Sequence, residues 1–174
     1  MEAGAMVLAT TSADGRPNAR YVLLRGIDER GLVFFTNYES AKGAELETNP
    51  FGAVVFAWPQ PDQKSVRVRG PVSKASAAES DAYFGARARG SQLGAWASPQ
   101  SRPLASREEL EAGLAAVTAR FGDGPVSRPP NWGGYRLDPL EIEFWEGRRN
   151  RLHERELFTR ASPSSPWSST RLGP

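Results

Sequence analysis

A chain of 174 residues with a formal net charge of +2 has the size of one domain, on a scale of roughly 100–200 residues each. Its acids and bases nearly balance, so the sequence pI of 9.2 gives no argument for a nucleic-acid partner. With no cysteine and a single histidine, disulfides, thiolate metal sites and the usual metal-ligand sets are excluded.

In chain order, Met6–Thr11 is a short apolar run that reads as a strand, and Ala13–Pro17 is a turn signal. Ala19–Leu24 is the next strand. Asp28–Gly31 turns the chain into Leu32–Thr36, and these two β-rich runs joined by a Gly-containing loop read as a hairpin. Ser40–Thr48 is a brief helix, ended by Asn49-Pro50 because the residue before proline is pushed out of the helical region. Phe51–Trp58 and Ser65–Val72 are strands around a polar Pro59–Lys64 loop.

Ser76-Ala-Ala-Glu79 is a capping-box pattern opening a helix to about Phe84, and Ser106-Arg-Glu-Glu109 opens a longer one. In that second helix Leu110, Leu114, Val117 and Phe121 recur at helical spacing and are expected in the core. The Ala86–Ser101 stretch between the helices mixes arginine, serine and glutamine, and Gly122–Gly133 is a Pro/Gly-rich connector. Tyr135–Leu137, Ile142–Trp145, Leu152–Thr159 and Trp167–Leu172 complete the strands, with Ser162–Ser169 a flexible loop in the last hairpin. Short strands at even spacing with helices inserted predict a mainly β, antiparallel barrel spanning 1–174 as one domain. A doubly wound nucleotide fold is excluded by the lack of strand–helix alternation, of G-x-G-x-x-G and of a P-loop. A serine hydrolase is disfavoured by the lack of G-x-S-x-G. No run spans a bilayer, and Met1–Thr11 lacks the basic region of a signal peptide. We therefore expect a cytoplasmic protein with no membrane partner. The abrupt start near Met6 suggests either a trimmed chain or a missing leading segment.

Glu141–Arg155, E-I-E-F-W-E-G-R-R-N-R-L-H-E-R, concentrates the chemistry. On extended backbone residues two apart share a face, so Arg151, His153 and Arg155 are expected to point together, near Trp145. Such a face suits a flat ligand with anionic groups. The alternative is a solvated face whose arginines pair with Glu143, Glu146 and Glu154. Further anion-binding candidates are Arg20, Arg25, Lys42, Arg87, Ser91, Gln100 and Ser101, because charged forks and short hydroxyls suit phosphate. Without a metal or a nucleophile pair, demanding chemistry requires an organic cofactor.

R-Y-V-L-L-R at 20–25, F-F-T-N-Y-E-S-A-K-G at 34–43, S-Q-L-G-A-W-A-S-P-Q-S at 91–101, W-G-G-Y-R at 132–136 and I-E-F-W-E-G-R-R-N-R-L-H-E-R at 142–155 together resemble the pyridoxamine 5′-phosphate oxidase family. The resemblance runs in order along nearly the whole chain. It implies a homodimer of split β-barrels with FMN at the subunit interface. By that similarity Arg20, Tyr21, Val22, Leu23, Phe35 and Thr36 line the FMN site and Lys42 and Ser101 hold its phosphate. Gln100, Trp145 and Arg155 also contact FMN. The substrate phosphate would sit among Arg25, Tyr83, Arg87 and Ser91, with Arg151 and His153 facing the substrate ring as the catalytic pair. The implied reaction oxidises pyridoxamine or pyridoxine 5′-phosphate to pyridoxal 5′-phosphate, with O2 reduced to hydrogen peroxide.

The chain departs from the family pattern at three places. Arg25 stands where lysine is usual, Ala41 where an arginine commonly helps hold the FMN phosphate, and Lys64 or Ser65 where a glutamine contacts the cofactor. These departures keep a second reading open, a related flavin oxidase acting on another aromatic, as in phenazine biosynthesis. A non-catalytic flavin-binding or pyridoxal-phosphate-carrying protein is a third, and an RNA-binding role for the short G-R-R-N-R cluster at 147–151 is the weakest.

Overall fold

The structure, a computed structural model, describes residues 2–58 and 63–174. Most of the Pro59–Lys64 loop therefore lies outside the described residues. The chain forms two compact units, one built from Met1–Phe34, Glu45–Ser73 and Tyr135–Pro174, the other from Phe35–Ala44 and Lys74–Gly134.

The strands are β1 (Ala5–Thr11), β2 (Pro17–Leu23), β3 (Gly26–Asp28), β4 (Gly31–Asn37), β5 (Phe51–Trp58), β6 (Lys64–Lys74), β7 (Trp132–Leu137), β8 (Glu141–Glu146), β9 (Glu154–Thr159) and β10 (Ser168–Arg171). In the first unit they pair antiparallel in the order β10-β9-β8-β6-β5-β1-β2. β4 pairs β3 and β7, and β7 also pairs β6. The sheet can branch at β6 because that strand is 11 residues long. At the branch Gly70 lies against the Asp138 carbonyl, where any Cβ would collide.

One face of this sheet carries Met6, Leu8, Val54, Phe56 and Val68, all buried. Strand alternation puts Val7, Tyr21 and Val55 together on the other face, since Val7 pairs both Tyr21 and Val55. There Tyr21 remains 67% exposed.

The expected hairpin between Ala19–Leu24 and Leu32–Thr36 does not form. β2 pairs with β1, and the Asp28–Gly31 turn closes a tighter hairpin of β3 on β4. The turn was placed correctly, but three residues beyond Arg25 form a separate strand.

The helices are α1 (Ala41–Thr48), α2 (Ala77–Ala86), α3 (Arg89–Ala97) and α4 (Arg107–Phe121). The capping box at Ser76 is present, its hydroxyl accepting from Glu79 N–H and Glu79 reaching back to the Ser76 N–H. At α4 the Ser106 hydroxyl accepts from Glu109 N–H, while the Glu109 carboxylate takes the Ala105 N–H instead. The second unit has a small core of Phe84, Leu93, Val126 and Trp132, against which Phe35, Tyr83, Trp96, Val117 and Phe121 pack.

One stretch proves helical and one expectation fails here. Ala86–Ser101 is largely the helix α3, whose one buried residue is Leu93; its polar composition hides a single anchor. Conversely, α4 buries no residue, and Leu114 is 40% exposed. The periodicity of Leu110, Leu114, Val117 and Phe121 marked the face of the helix but not its depth. Among the described residues no helix is long and apolar enough to cross a membrane, and no cluster of His, Asp or Glu could hold a metal ion.

Candidate functional site

In the second unit the site is built around Lys42 on the first turn of α1. Its stem is buried, and Nζ donates to Thr36 Oγ1 at 3.0 Å, Ser40 Oγ at 3.2 Å and Gln100 Oε1 at 3.0 Å. Gln100 Oε1 also accepts from Thr36 Oγ1 at 2.9 Å, so three neutral oxygens share the ammonium. Gly43 follows because α1 starts against the Tyr38 carbonyl, where a Cβ would overlap. Ser101 is exposed and adopts φ 69°. A lysine ammonium beside hydroxyls and an amide is a donor set that suits a phosphate ester. Ser40, buried with its hydroxyl donating to Asn37 O at 2.7 Å, had no role in the sequence reading; its spacing of two from Lys42 was the available signal.

The aromatic layer lies in the same unit. Phe35 stacks on Tyr83 with ring centroids 4.0 Å apart, and Phe35 and Tyr83 both stack with Trp132. The Arg87 guanidinium lies over Trp132, 4.7 Å from the ring centroid. Tyr83 is on α2, Arg87 is its C-cap, and Ser91 is on the first turn of α3. The three therefore lie along one helix–turn–helix, with Tyr83 and Arg87 brought onto a common ring system and Ser91 exposed.

In the first unit a cavity of about 510 Å³ is lined by Lys64, Ser65, Trp145, His153, Arg155 and Leu172, among others. Trp145 and His153 are in ring contact, centroids 4.7 Å apart. His153 Nδ1 accepts the Arg148 backbone N–H at 3.2 Å, so the neutral ring carries its proton on Nε2. Arg155 donates from Nε to one oxygen of Glu143 at 2.8 Å, its NH2 is ion-paired to the same oxygen at 2.8 Å, and NH1 donates to Gly173 O at 2.9 Å. Arg67 donates to the other Glu143 oxygen.

Arg151, His153 and Arg155 do not share one strand face. Arg149–Arg151 is a 3₁₀ turn, Asn150 and Arg151 have φ of 59° and 60°, and β9 begins only at Glu154. Period-two reasoning holds for extended backbone alone, and two consecutive left-handed residues break it. His153 and Arg155 still line one cavity, whereas Arg151 is exposed on the turn. The pairing alternative is realised in part, since Arg155 holds Glu143 and Arg148 holds Glu146 and Glu154. Glu143, however, is buried rather than solvated.

Of the β2 candidates, Tyr21 and Leu23 alternate with Arg20 and Val22 between the two sheet faces. Arg20 donates to Glu45 at 2.7 Å and also bonds Thr10. Glu45, buried, further accepts from Asn18 at 2.9 Å and from Thr10. Burial pushes the Glu45 carboxyl up, but the Thr10 and Asn18 hydrogen bonds and the Arg20 charge outweigh it, so it lies below the ordinary value. Arg25 is ion-paired to Glu2 at 2.8 Å on the surface.

Comparison with known proteins follows the same chain. Residues 1–121 match the family profile described as pyridoxamine 5′-phosphate oxidase, and residues 132–174 match the profile of the pyridoxine 5′-phosphate oxidase C-terminal dimerisation region. A pyridoxine/pyridoxamine 5′-phosphate oxidase of Rubrobacter xylanophilus is 57% identical over 173 residues, covering 99% of this chain and 78% of that protein. One of the same description from Azorhizobium caulinodans is 55% identical over 170 residues, covering 98% and 80%. Among solved structures, PhzG from Burkholderia lata 383 in complex with tetrahydrophenazine-1-carboxylic acid superposes with TM-score 0.91 at 33% identity, covering 100% of this chain and 84% of that one. The mainly β split-barrel class with helical insertions is the fold these likenesses share.

Proposed function

This chain belongs to the pyridoxamine 5′-phosphate oxidase family, and from that membership we propose that it is an FMN-dependent oxidase. It converts pyridoxamine or pyridoxine 5′-phosphate to pyridoxal 5′-phosphate, and O2 becomes hydrogen peroxide. The observation that carries the reading is the Lys42 cluster, a buried ammonium held by Thr36, Ser40 and Gln100. Its chemistry fits the phosphate of FMN, with Ser101 adjoining Gln100 in sequence.

Bound FMN supplies hydride acceptance and the passage of electrons to dioxygen. The protein's own residues bind and orient. Trp145 and Arg155 offer a wall and a fork for the cofactor ring, and the backbone of Arg20–Leu23 and the Phe35 ring complete its surroundings. Arg87, spread on Trp132 with Tyr83 beside it, supports a phosphorylated substrate, and Ser91 and Arg25 add donors for the same group. His153 presents its Nε2–H as a hydrogen-bond donor facing the substrate ring. Arg151 supplies charge beside it. Holding the substrate carbon in place matters more than any single acid or base.

The chain acts as a homodimer. The half-exposed face of Val7, Tyr21 and Val55 and the dimerisation-region match at 132–174 support this.

The test is purified protein with added FMN, followed for aldehyde and peroxide on pyridoxine 5′-phosphate, on pyridoxamine 5′-phosphate and on unphosphorylated pyridoxine. Turnover of phosphorylated vitamers alone, with Arg87→Ala raising KM, is the expected result; no turnover on either phosphorylated vitamer rejects the reading. The likeness to PhzG favours a second reading, oxidation of another aromatic without phosphate. That reading predicts activity unchanged by Arg87→Ala.

A further inference from the structure

We propose that Glu143 is a positioning residue, whose buried carboxylate fixes the Arg155 fork and holds Arg67 beside it, so that the wall around Trp145 presents one net positive charge to the cofactor. The inference rests on the reading above, in which Arg155 contacts FMN.

The strand register sets up the arrangement. Arg67 on β6 stands directly opposite Glu143 on β8, and Trp145 directly opposite Arg155 on β9. Glu143 and Arg155 are therefore diagonal neighbours on the face that carries Trp145 and Ser65, within reach of long side chains. The side chain of Glu143 is 9% exposed, that of Arg155 30% and that of Arg67 40%. The carboxylate thus lies deepest, with the two guanidinium groups above it.

The hydrogen bonds divide cleanly. One Glu143 oxygen accepts from Arg155 Nε, with NH2 ion-paired to it at 2.8 Å, and the other takes Arg67. Gly173 O takes Arg155 NH1 at 2.9 Å. A guanidinium has five N–H donors, and these hydrogen bonds use two while fixing the plane. The remaining donors are aimed by a group the ligand never touches. Two cations against one anion leave a charge of +1, on a face that also borders a cavity of about 300 Å³ lined by Val55, Ser65 and Trp145. Lys64 or Ser65 stands where the family carries a cofactor-contacting glutamine, and either change shifts recognition of the cofactor towards the arginines.

Burial alone would raise the Glu143 carboxyl, yet the bonds and charges of Arg155 and Arg67 hold it below the ordinary value. It is therefore ionised at neutral pH and available to both arginines. Replacing it by glutamine turns one acceptor oxygen into an amide that faces guanidinium N–H groups, and Arg155 loses its fixed orientation.

The experiment is a double-mutant cycle of Glu143→Gln and Arg155→Lys, read as FMN affinity by flavin fluorescence. It is paired with the Nε–H NMR signal of Arg155 in the cofactor-free protein. Glu143→Gln is expected to weaken FMN binding roughly ten-fold in the wild-type background and hardly at all in the Arg155→Lys background, a coupling in the range of contacting residues. The Arg155 Nε–H signal is expected to exchange slowly in the wild type and to vanish into solvent exchange in Glu143→Gln. Independent, multiplying effects, or a signal that survives Glu143→Gln, overturn the proposal; loss of thermal stability alone produces neither pattern of support. If Glu143→Gln does not fold, Arg67→Gln decides: it should keep the Arg155 signal and weaken FMN binding a few-fold through charge, and an unchanged affinity overturns the charge claim. A wild-type protein that binds no flavin would sink the functional reading, while the Arg155 signal still decides whether Glu143 positions the fork.

Discussion

Replacing Lys42 by methionine separates cofactor binding from folding. The stem is kept, while the ammonium and its bonds to Thr36, Ser40 and Gln100 are lost. A charged hydrogen bond to a phosphate is worth about 1.5–3 kcal/mol, which corresponds to roughly 10- to 150-fold in affinity. The upper part of that range applies, because position 41 is alanine and offers no arginine fork of its own. Stability moves the other way. Lys42 is 8% exposed, and the desolvation of a buried ammonium costs several kcal/mol, about what its hydrogen bonds return. The apo protein of Lys42→Met should thus melt within a few degrees of the wild type, or above it. Fluorescence titration with FMN and thermal melts of the apo protein give the two numbers. An affinity change below about three-fold with the fold intact refutes the assignment of Lys42 to the phosphate. A collapse of the apo fold refutes the claim that the ammonium is held for a ligand rather than for stability.

Tyr21→Asp places a charge on the exposed face shared with Val7 and Val55, and light scattering should show the homodimer shifted to monomer, with FMN affinity falling alongside; a dimer that persists at micromolar concentration counts against this face. Glu45 and Glu143 both titrate below the ordinary glutamate value of 4.5, so they contribute stability above pH 4.5 that is lost as pH falls through their depressed values. Urea melts between pH 3 and 7 should therefore show a steep acid limb that Glu45→Gln flattens, and an unaltered limb would break the link. Arg151→Gly relieves a left-handed φ of 60°, a conformation that costs on the order of 1 kcal/mol or more. Its melting temperature should hold or rise while turnover drops about a hundred-fold, the loss that the proposed catalytic role of Arg151 predicts; equal losses of stability and activity would make Arg151 a structural residue.

What the sequence revealed divides by how local the cause is. The Ser76 capping box was legible because both partners sit within one turn, and the helix duly starts at Ala77. The spacing of Leu110, Leu114, Val117 and Phe121 was equally visible, yet the helix lies half in solvent, because periodicity reports direction and the depth depends on what the rest of the chain supplies. The expected face of Arg151, His153 and Arg155 assumed extended backbone throughout. Asn150 tolerates the left-handed region, and with Arg151 joining it the turn sends the exposed arginine one way while His153 and Arg155 enter the cavity. Glu143 marks the far limit of sequence reading. It looks like any polar position on an alternating strand, and one of its partners lies 76 residues earlier. Only the pairing of β6 with β8 brings that arginine opposite, and only burial makes the carboxylate's choice of partners consequential. The motif residues proposed to touch a ligand were thus named from the chain itself, whereas the groups that would aim them become visible once strand neighbours are known. For this family of sites, mutations that alter cofactor affinity without touching the cofactor should concentrate at such buried carboxylates that bridge elements, Glu143 across β6 and β9 and Glu45 from α1 to β1 and β2 first.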